Sequence, residues 1–277
     1  MMNRSFVSET MFSPAVSAEV PLAKGVAVGG QQPIVVMAGP CAVESYEQTR
    51  AVAEVMAALG LKVLRGGAFK PRTSPDSFQG LGEEGLRILR AVADELGLLV
   101  VTEALGVEHV PLVAAYADII QIGSRNMQHY PLLWAVGELD KPILLKRGFM
   151  STVREWFLAA EHIARRGNER ILLCERGIRT FETATRNTLD TNAIALAKRE
   201  VPWPVLGDPS HATGRADLVL PAARAAVAAG ADGLLVEVHP RPAEALSDGA
   251  QSLAVEDFPT FVQEIARIAA ALGREVT

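Results

Sequence analysis

A thiol, an imidazole and two carboxylates lie near the ends of apolar segments that are far apart in the chain: Cys41, His211, Glu237 and Asp248. Cys41 follows the first such segment, His211 follows the seventh, and the two acids belong to the eighth and the loop after it. This mixed soft and hard ligand set suits a first-row divalent metal, whereas structural zinc more often uses several thiolates at short spacing. Spacing alone leaves a second interpretation of Cys41 open, that of a small buried hydrophobe. We predict that role for Cys174.

Basic residues gather where other apolar segments end, although the chain as a whole has a net charge of −5. They follow the second, fourth, fifth and sixth segments: Arg65, Lys70, Arg72, Arg125, Lys146, Arg147, Arg176, Arg179 and Arg186. Any one of them could be a solvated surface charge. Basic residues converging from four segments without matching acids indicate an anionic ligand such as phosphate or carboxylate. Gly123-Ser124 supports this interpretation, because small residues let backbone N–H groups approach a phosphate.

The segments that must position these residues alternate between two patterns. Eight short, β-branched apolar runs begin near Ile34, Leu61, Leu98, Asp118, Pro142, Arg170, Pro204 and Gly233, as expected for strands buried on both faces of a parallel sheet. Amphipathic helical patterns lie between them; one begins at Ser45 and Gln48, which form a capping-box signature.

Eight strand–helix alternations in about 240 residues favour a closed (β/α)8 TIM barrel over an open doubly wound sheet. The open sheet stays an alternative, because periodicity gives the order of elements and not their closure. The first turn, AGPCAVES, lacks the glycine pattern of a dinucleotide site. In a barrel the carboxyl ends of the strands form one mouth, so we expect the metal-type and basic residues to meet there.

Three units are predicted along the 277 residues: a flexible arm at 1–19, a β-hairpin at 20–33 around Gly29-Gly30, and the catalytic barrel at 34–277. The hairpin is expected to cover the barrel bottom or to pack against a neighbouring subunit.

Composition limits the class of protein and its compartment. The chain is 49% hydrophobic and contains two cysteines, which fits a large core in a reducing, cytoplasmic compartment. The acidic balance argues against nucleic-acid binding, and no apolar run is long enough to span a membrane.

Seven segments, taken together and in order, resemble one enzyme family: AGPCAVES, RGGAFKPRTSPDSFQG, QIGSRNMQ, LLKRG, ERGIRTFETATRNTLD, GDPSHATG and LLVEVHPRPAEALSDGAQSL. The family is 3-deoxy-7-phosphoheptulonate synthase (DAHP synthase), in its microbial branch close to 3-deoxy-octulosonate 8-phosphate synthase. The resemblance extends from about residue 20 to residue 270 and includes every predicted strand end. It implies a TIM-barrel enzyme that joins phosphoenolpyruvate to erythrose 4-phosphate, releases phosphate and opens the shikimate pathway to the aromatic amino acids.

The resemblance also implies roles for individual residues. It implies a divalent metal (Mn²⁺, Fe²⁺, Co²⁺ or Zn²⁺, not distinguished) held by Cys41, His211, Glu237 and Asp248. It implies phosphoenolpyruvate held by Arg65, Lys70, Arg125, Lys146 and Arg176. The aldose phosphate would meet Lys70-Pro71-Arg72-Thr73, with Asp208 near its hydroxyls. We expect Lys70 to act as proton donor or as a charge clamp, and Glu103 or a metal-bound water to orient the attacking water.

Two alternative functions are the sister synthase and a non-catalytic binding barrel. The sister synthase, which uses arabinose 5-phosphate, typically has a KANRS-like segment where this chain has Lys70 to Ser74 (KPRTS), so the four-carbon aldehyde is favoured. A non-catalytic phosphometabolite-binding barrel would lack a metal ligand or a clamp residue, and none is missing. The family resemblance further suggests a homotetramer, or a homodimer. Many relatives carry a fused regulatory domain, for which the sequence leaves no space, so feedback control by that route is not expected.

Overall fold

The barrel strands are described by a computed structural model that covers residues 18–71 and 74–277. The predicted arm lies almost wholly outside the described residues, as do Arg72 and Thr73. Eight strands form one parallel sheet: β3 (Val35–Gly39), β4 (Val63–Arg65), β5 (Leu99–Glu103), β6 (Ile119–Ile122), β7 (Ile143–Lys146), β8 (Ile171–Glu175), β9 (Val205–Gly207) and β10 (Gly233–His239). Strand β10 pairs with both β9 and β3, so the sheet closes. This confirms the predicted barrel and excludes the open sheet.

Helices connect the strands and cover the outside of the barrel: α1 (Tyr46–Ala58), α2 (Glu83–Glu95), α3 (Val110–Tyr116), α4 (Tyr130–Gly137), α5 (Val153–Ala164), α6 (Thr191–Glu200), α7 (Pro209–Thr213), α8 (Ala216–Ala228) and α9 (Phe258–Ala271). Ser45 caps α1 by accepting from the Gln48 N–H, as predicted. The reciprocal bond differs, because the Gln48 side chain accepts from the Glu44 N–H instead. None of the helices in the described part of the chain is long and apolar enough to cross a membrane.

The barrel interior shows how the strand pleat positions the polar residues. Successive side chains alternate between the helix-facing side and the interior. In β8, Ile171 and Leu173 belong to the outer core, whereas Leu172 and Cys174 belong to the interior cluster. Cys174 is therefore buried among apolar side chains, as predicted. Near the ends of four strands, the position two residues beyond an interior apolar residue is polar. Lys146 follows Leu144 in β7 and Glu237 follows Leu235 in β10, whereas Arg176 and Asp208 come one residue after the ends of β8 and β9 and follow Cys174 and Leu206.

The N-terminal hairpin, β1 (Val20–Pro21) with β2 (Ala27–Val28), covers the opposite end of the interior. Val20, Leu22 and Val28 belong to the same buried cluster as the inward residues of the barrel strands. The hairpin is also bonded to residues that precede strands: Lys24 Nζ donates to the Leu98 carbonyl, and Arg170 donates to the carbonyls of Pro21 and Leu22. These contacts place the hairpin at the bottom of the barrel.

Candidate active site

Three ligand-type side chains converge where the first and last barrel strands meet. Cys41 follows β3, Glu237 points inward from β10, and Asp248 lies in the loop between β10 and β11 (Leu253–Ala254). Their sulfur and carboxylate oxygen atoms all lie within 4.8 Å of one another. Asp248 has a left-handed backbone, with a φ of 53°, and its Oδ2 lies 3.4 Å from the Cys41 Sγ. The barrel closure therefore brings together residues that are about 200 positions apart in the sequence.

His211 lies beside this group, on the short helix α7. Its Nε2 is 3.4 Å from Glu237 Oε1 and 4.0 Å from Asp248 Oδ2. It does not belong to the set of atoms that all lie within 4.8 Å of one another. Its Nδ1 is 2.8 Å from Asp208 Oδ2. Burial lowers the pKa of His211 to about 4, so the ring is neutral near pH 7, and a donating Nδ1 would leave the Nε2 lone pair directed at the carboxylates.

The chemistry of this donor set fits a divalent cation. Burial and the nearby Glu237 carboxylate raise the pKa of the Cys41 thiol to about 11. The positive charges of Lys70 and Arg65 oppose this rise only in part, and a bound metal ion would supply the further positive charge that favours a thiolate beside two carboxylates. Neutral imidazole, thiolate and carboxylate are together typical ligands of first-row transition metals. Cys41, Glu237 and Asp248, with His211 beside them, form the candidate metal site.

Glu237 is oriented by two hydrogen-bond donors, and neither contact leaves a local signal in the sequence. Its Oε1 accepts from Arg65 Nη1 at 2.8 Å, and its Oε2 accepts from Gln251 Nε2 at 2.7 Å. The oxygen of the Gln251 amide accepts from Arg186 Nη1 at 2.7 Å, and that guanidinium lies 3.3 Å from Asp248 Oδ2. Gln251 therefore joins the two candidate acidic ligands through Arg186. Gln251 and Arg186 lie within the segments that resemble the family, but their spacing in the sequence does not indicate that they are in contact.

Four of the basic residues at the strand ends have acidic partners, which corrects the expectation that these residues lack matching acids. Arg65 pairs with Glu237, as described above. The other buried pairs are Lys146 with Asp208 at 2.6 Å and Arg147 with Glu175 and Asp190 at 2.9 Å each. The partners come from neighbouring strands or distant loops, so the sequence does not reveal the pairing. Arg125 and Arg176 differ: among the ion pairs of residues 18–71 and 74–277, none involves either of them.

Asp208 is completely buried, and its carboxylate contacts both Lys146 and His211. It also accepts from the His211 backbone N–H, which caps α7. The pKa of Asp208 is held well below its usual range by His211 and Lys146, which outweigh the opposing effect of burial. These contacts position the His211 ring. The predicted role of Asp208 near the aldose hydroxyls stays a prediction.

Lys70 lies next to the candidate metal site. Its Nζ is 3.0 Å from both the carbonyl oxygen and the sulfur of Cys41. Burial alone would lower the pKa of this ammonium, but the negative charges that Cys41 and Glu237 can carry raise it overall. Lys70 is therefore a charged group at the candidate metal site, with a proton available. Pro71 follows it, and Arg72 and Thr73 lie outside the described residues.

Glu103, Gly123 and Ser124 line a neighbouring part of the mouth. Glu103 accepts a hydrogen bond from Gln121 Nε2 at 3.0 Å. A Cβ atom at Gly123 would overlap Glu103 Oε1, so the glycine leaves room for this carboxylate. The approach of a phosphate to Gly123 stays a prediction. The buried Ser124 Oγ has no hydrogen-bond partner within the described residues.

Comparisons with known proteins identify the family. The model of the DAHP synthetase I family matches residues 13–272. The phospho-2-dehydro-3-deoxyheptonate aldolase of Thermotoga maritima is 59% identical over 241 residues, which cover 87% of this chain and 71% of the relative. The 2-dehydro-3-deoxyphosphooctonate aldolase of Syntrophotalea carbinolica is 36% identical over 261 residues, covering 88% of this chain and 93% of the relative.

Solved structures agree with these matches. The crystal structure of the Thermotoga maritima phospho-2-dehydro-3-deoxyheptonate aldolase (DAHP synthase) gives a TM-score of 0.91 at 56% identity, covering 94% of this chain and 76% of that chain. A truncated form of 3-deoxy-D-arabino-heptulosonate 7-phosphate synthase from the same organism gives 0.88 at 52% identity, covering 94% and 95%. The chain therefore belongs to the DAHP synthetase I family.

Proposed function

We propose that this chain condenses phosphoenolpyruvate with erythrose 4-phosphate and water to give 3-deoxy-D-arabino-heptulosonate 7-phosphate and inorganic phosphate, the first step of the shikimate pathway. Family membership and the similarity to the Thermotoga maritima enzyme support this reaction. One observation carries the proposal most strongly. The Cys41–Glu237–Asp248 group lies beside Lys70, at a mouth where Arg125 and Arg176 form no ion pair with any of the described residues.

Binding and alignment fall to the basic residues. Arg125, Arg176 and Lys146 would hold the phosphate and carboxylate of phosphoenolpyruvate, and Arg65 and Lys70 would complete the clamp. The aldose phosphate would bind along Lys70-Pro71-Arg72-Thr73, with Gly123, Ser124 and Asp208 near the substrates. Two anions repel each other in solution, so cationic groups that fix both of them reduce the electrostatic and entropic cost of bringing C3 next to the aldehyde carbon.

Cys41, His211, Glu237 and Asp248 would hold a divalent ion, for which Mn²⁺, Fe²⁺, Co²⁺ and Zn²⁺ are the candidates. When bound, the ion supplies Lewis acidity toward a carbonyl oxygen. C3 of phosphoenolpyruvate bonds to the aldehyde carbon, and Lys70 Nζ donates a proton to the forming alkoxide. Water adds at C2, oriented by Glu103, and the hemiketal phosphate then loses inorganic phosphate by C–O cleavage.

A paired-substrate assay tests the proposal. Phosphate release is measured with phosphoenolpyruvate plus either erythrose 4-phosphate or arabinose 5-phosphate, with and without EDTA. We expect turnover with erythrose 4-phosphate that EDTA abolishes and added divalent metal restores. Preference for arabinose 5-phosphate would instead establish the octulosonate reaction, which relatives 36% identical by name carry out. Absence of turnover with both aldoses and every candidate metal would leave only a non-catalytic binding barrel.

The same proposal extends to the assembly and location of the protein. We propose a cytoplasmic homotetramer, or a homodimer, with small-molecule substrates and without nucleic-acid or membrane partners. We also propose the division into an arm (1–19), a hairpin (20–33) and a barrel (34–277). Family resemblance and the acidic composition support these statements. Light scattering of the purified protein measures the subunit number directly.

A further inference from the structure

The ring of Phe149, in the loop after β7, lies under three guanidinium groups. The ring centroid is 4.7 Å from the Cζ of Arg176, 5.2 Å from that of Arg179 and 5.6 Å from that of Arg125. The three arginines come from the loops after two strands: Arg125 follows β6, and Arg176 and Arg179 follow β8. One aromatic side chain thus gathers basic residues from both loops at the mouth of the barrel.

These three charges differ from the other basic groups nearby. Arg147, two residues before Phe149, is paired with Glu175 and Asp190. By contrast, no ion pair in the described ranges contains Arg125, Arg176 or Arg179. The aromatic face offsets part of the repulsion among three like charges, because its π electrons attract guanidinium groups. A multiply charged anion would offset the rest, since each guanidinium also offers directed N–H donors to phosphate oxygens.

The three guanidiniums differ in their access to solvent. Arg176 is 3% exposed and lies at the inner end of the group, whereas Arg125 and Arg179 are exposed. The Arg179 N–H donates to the Phe149 carbonyl at 2.8 Å, which fixes the β8 loop against the β7 loop. An anion entering from solvent therefore meets Arg179 and Arg125 before it reaches Arg176.

We propose that Arg179, held on the ring of Phe149, is an outer binding residue for phosphoenolpyruvate. It would receive the phosphorylated anion at the rim of the mouth and deliver it to the inner clamp of Arg125 and Arg176. Phe149 is a positioning residue, which acts by holding the three guanidiniums together. The inference rests on the proposed function, because it takes phosphoenolpyruvate as the ligand. It adds two residues, Arg179 and Phe149, to those that the family resemblance implied.

The first test compares two variants that remove the same charge. Arg179→Ala removes the outer cation, whereas Arg199→Ala removes an exposed arginine near the end of α6, on the bottom side of the barrel. We expect kcat/KM for phosphoenolpyruvate to fall about tenfold in Arg179→Ala at low ionic strength, with the deficit shrinking as salt screens the charge. KM for erythrose 4-phosphate serves as the internal reference. Identical values and salt dependence in Arg179→Ala and Arg199→Ala would overturn the proposal.

The second test measures binding without turnover. Calorimetry with phosphoenolpyruvate and the metal-free protein should give a weaker Kd for Arg179→Ala and for Phe149→Leu, which keeps an apolar side chain but lacks the aromatic face. Arg179→Lys should recover part of the affinity, because it restores the charge but not the flat stacked group. Circular dichroism checks that each variant is folded. If the wild-type enzyme is active and Arg179→Ala binds phosphoenolpyruvate with the wild-type Kd, the proposed outer binding residue is wrong but the proposed function stands. If the wild-type protein shows neither binding nor turnover, the proposed function is wrong as well.

Discussion

At the scale of single residues, the amide of Gln251 is held in one orientation in the site. Its nitrogen donates to Glu237 and its oxygen accepts from Arg186, so the two ends of the amide cannot exchange without losing both bonds. The side chain is buried, and water does not readily replace those partners. Gln251 therefore orients Glu237 directly. It also contacts Arg186, which lies beside Asp248.

Replacing Gln251 by Met tests this orientation, because Met fills similar space without donor or acceptor groups of comparable strength. We expect metal affinity to fall about 10- to 100-fold, as is typical when a group supporting a ligand is removed. Competition with a chromophoric chelator gives the Kd, and the visible spectrum of the Co²⁺-loaded protein reports ligand geometry. Gln263→Met on the exposed face of α9 is the matched control. An unchanged Kd and spectrum in Gln251→Met would contradict the assignment.

The protonation of Cys41 gives a pH-dependent prediction. Burial and Glu237 raise the pKa of the metal-free thiol to about 11, and burial lowers the pKa of His211 to about 4. Between these values the thiol is protonated and the imidazole is neutral. Metal binding therefore releases about one proton per ion, and affinity rises with pH by up to about tenfold per unit, because only the thiolate is a ligand.

Calorimetric titration of the metal in buffers of different ionisation enthalpy counts the released protons. Cys41→Ala should bind weakly and release almost none, whereas Cys174→Ala, which removes a thiol from the barrel interior, should release the same number as the wild type. A wild-type count near zero would show that the sulfur is not a ligand.

Residue types at strand ends could be predicted from the sequence, but their pairing could not. Cys41, Glu237 and Asp248 were found by their chemistry and by resemblance, and the structure brings them together. The pairs Arg65–Glu237 and Lys146–Asp208 join residues 172 and 62 positions apart. Such partners are set by strand order and pleat in the closed barrel, and neither leaves a local signal in the sequence.

At the scale of secondary-structure elements, the ends of β5 and β6 fit together through Gly123. A Cβ at this position would overlap Glu103 Oε1, and Glu103 is also fixed by Gln121. We expect Gly123→Ala to displace the Glu103 carboxylate and to destabilise the fold by only about 1 kcal/mol, because the atoms that must move are the end of a flexible side chain. Activity should fall as well, since Glu103 faces the candidate site.

Tm and kcat are measured for Gly123→Ala, Glu103→Ala and the double variant, which separates the effect on stability from the effect on activity. Adding Glu103→Ala to Gly123→Ala removes the overlap, so the double variant should recover the Tm of Glu103→Ala alone. It should not recover activity if Glu103 orients the attacking water. A Gly123→Ala protein with wild-type Tm and kcat would show that the strand ends adjust without cost.

Long elements were easier to predict than short ones. The eight apolar runs correspond to β3 through β10, because a strand buried on both faces is apolar throughout. The five-residue helix α7 and the two-residue strand β11 have no periodic signal in the sequence, yet α7 contains His211 and β11 follows the loop that carries Asp248. The left-handed backbone at Asp248 was likewise not predictable, since aspartate tolerates that conformation without requiring it.

At the scale of the whole molecule, the hairpin stabilises the barrel from the end opposite the site. Leu22 is buried against the interior cluster. We expect Leu22→Ala to lower the free energy of unfolding by about 2–4 kcal/mol, through lost apolar burial and the cavity left behind. Chemical denaturation measures the change. Leu272→Ala, at a half-exposed position in the final turn, should cost much less; equal losses would mean that the hairpin is not part of the core.

The closed seam between β3 and β10 has a consequence for the order of events in the cell. Glu237 and Asp248 leave the ribosome about 200 residues after Cys41, and translation is slow, at roughly 5–20 residues per second. For tens of seconds a nascent chain thus carries the cysteine without its acidic partners. The complete candidate ligand set can bind a cation only once β10 and the loop after it have emerged and β10 has paired with β3, so loading of the site follows the synthesis of all eight barrel strands.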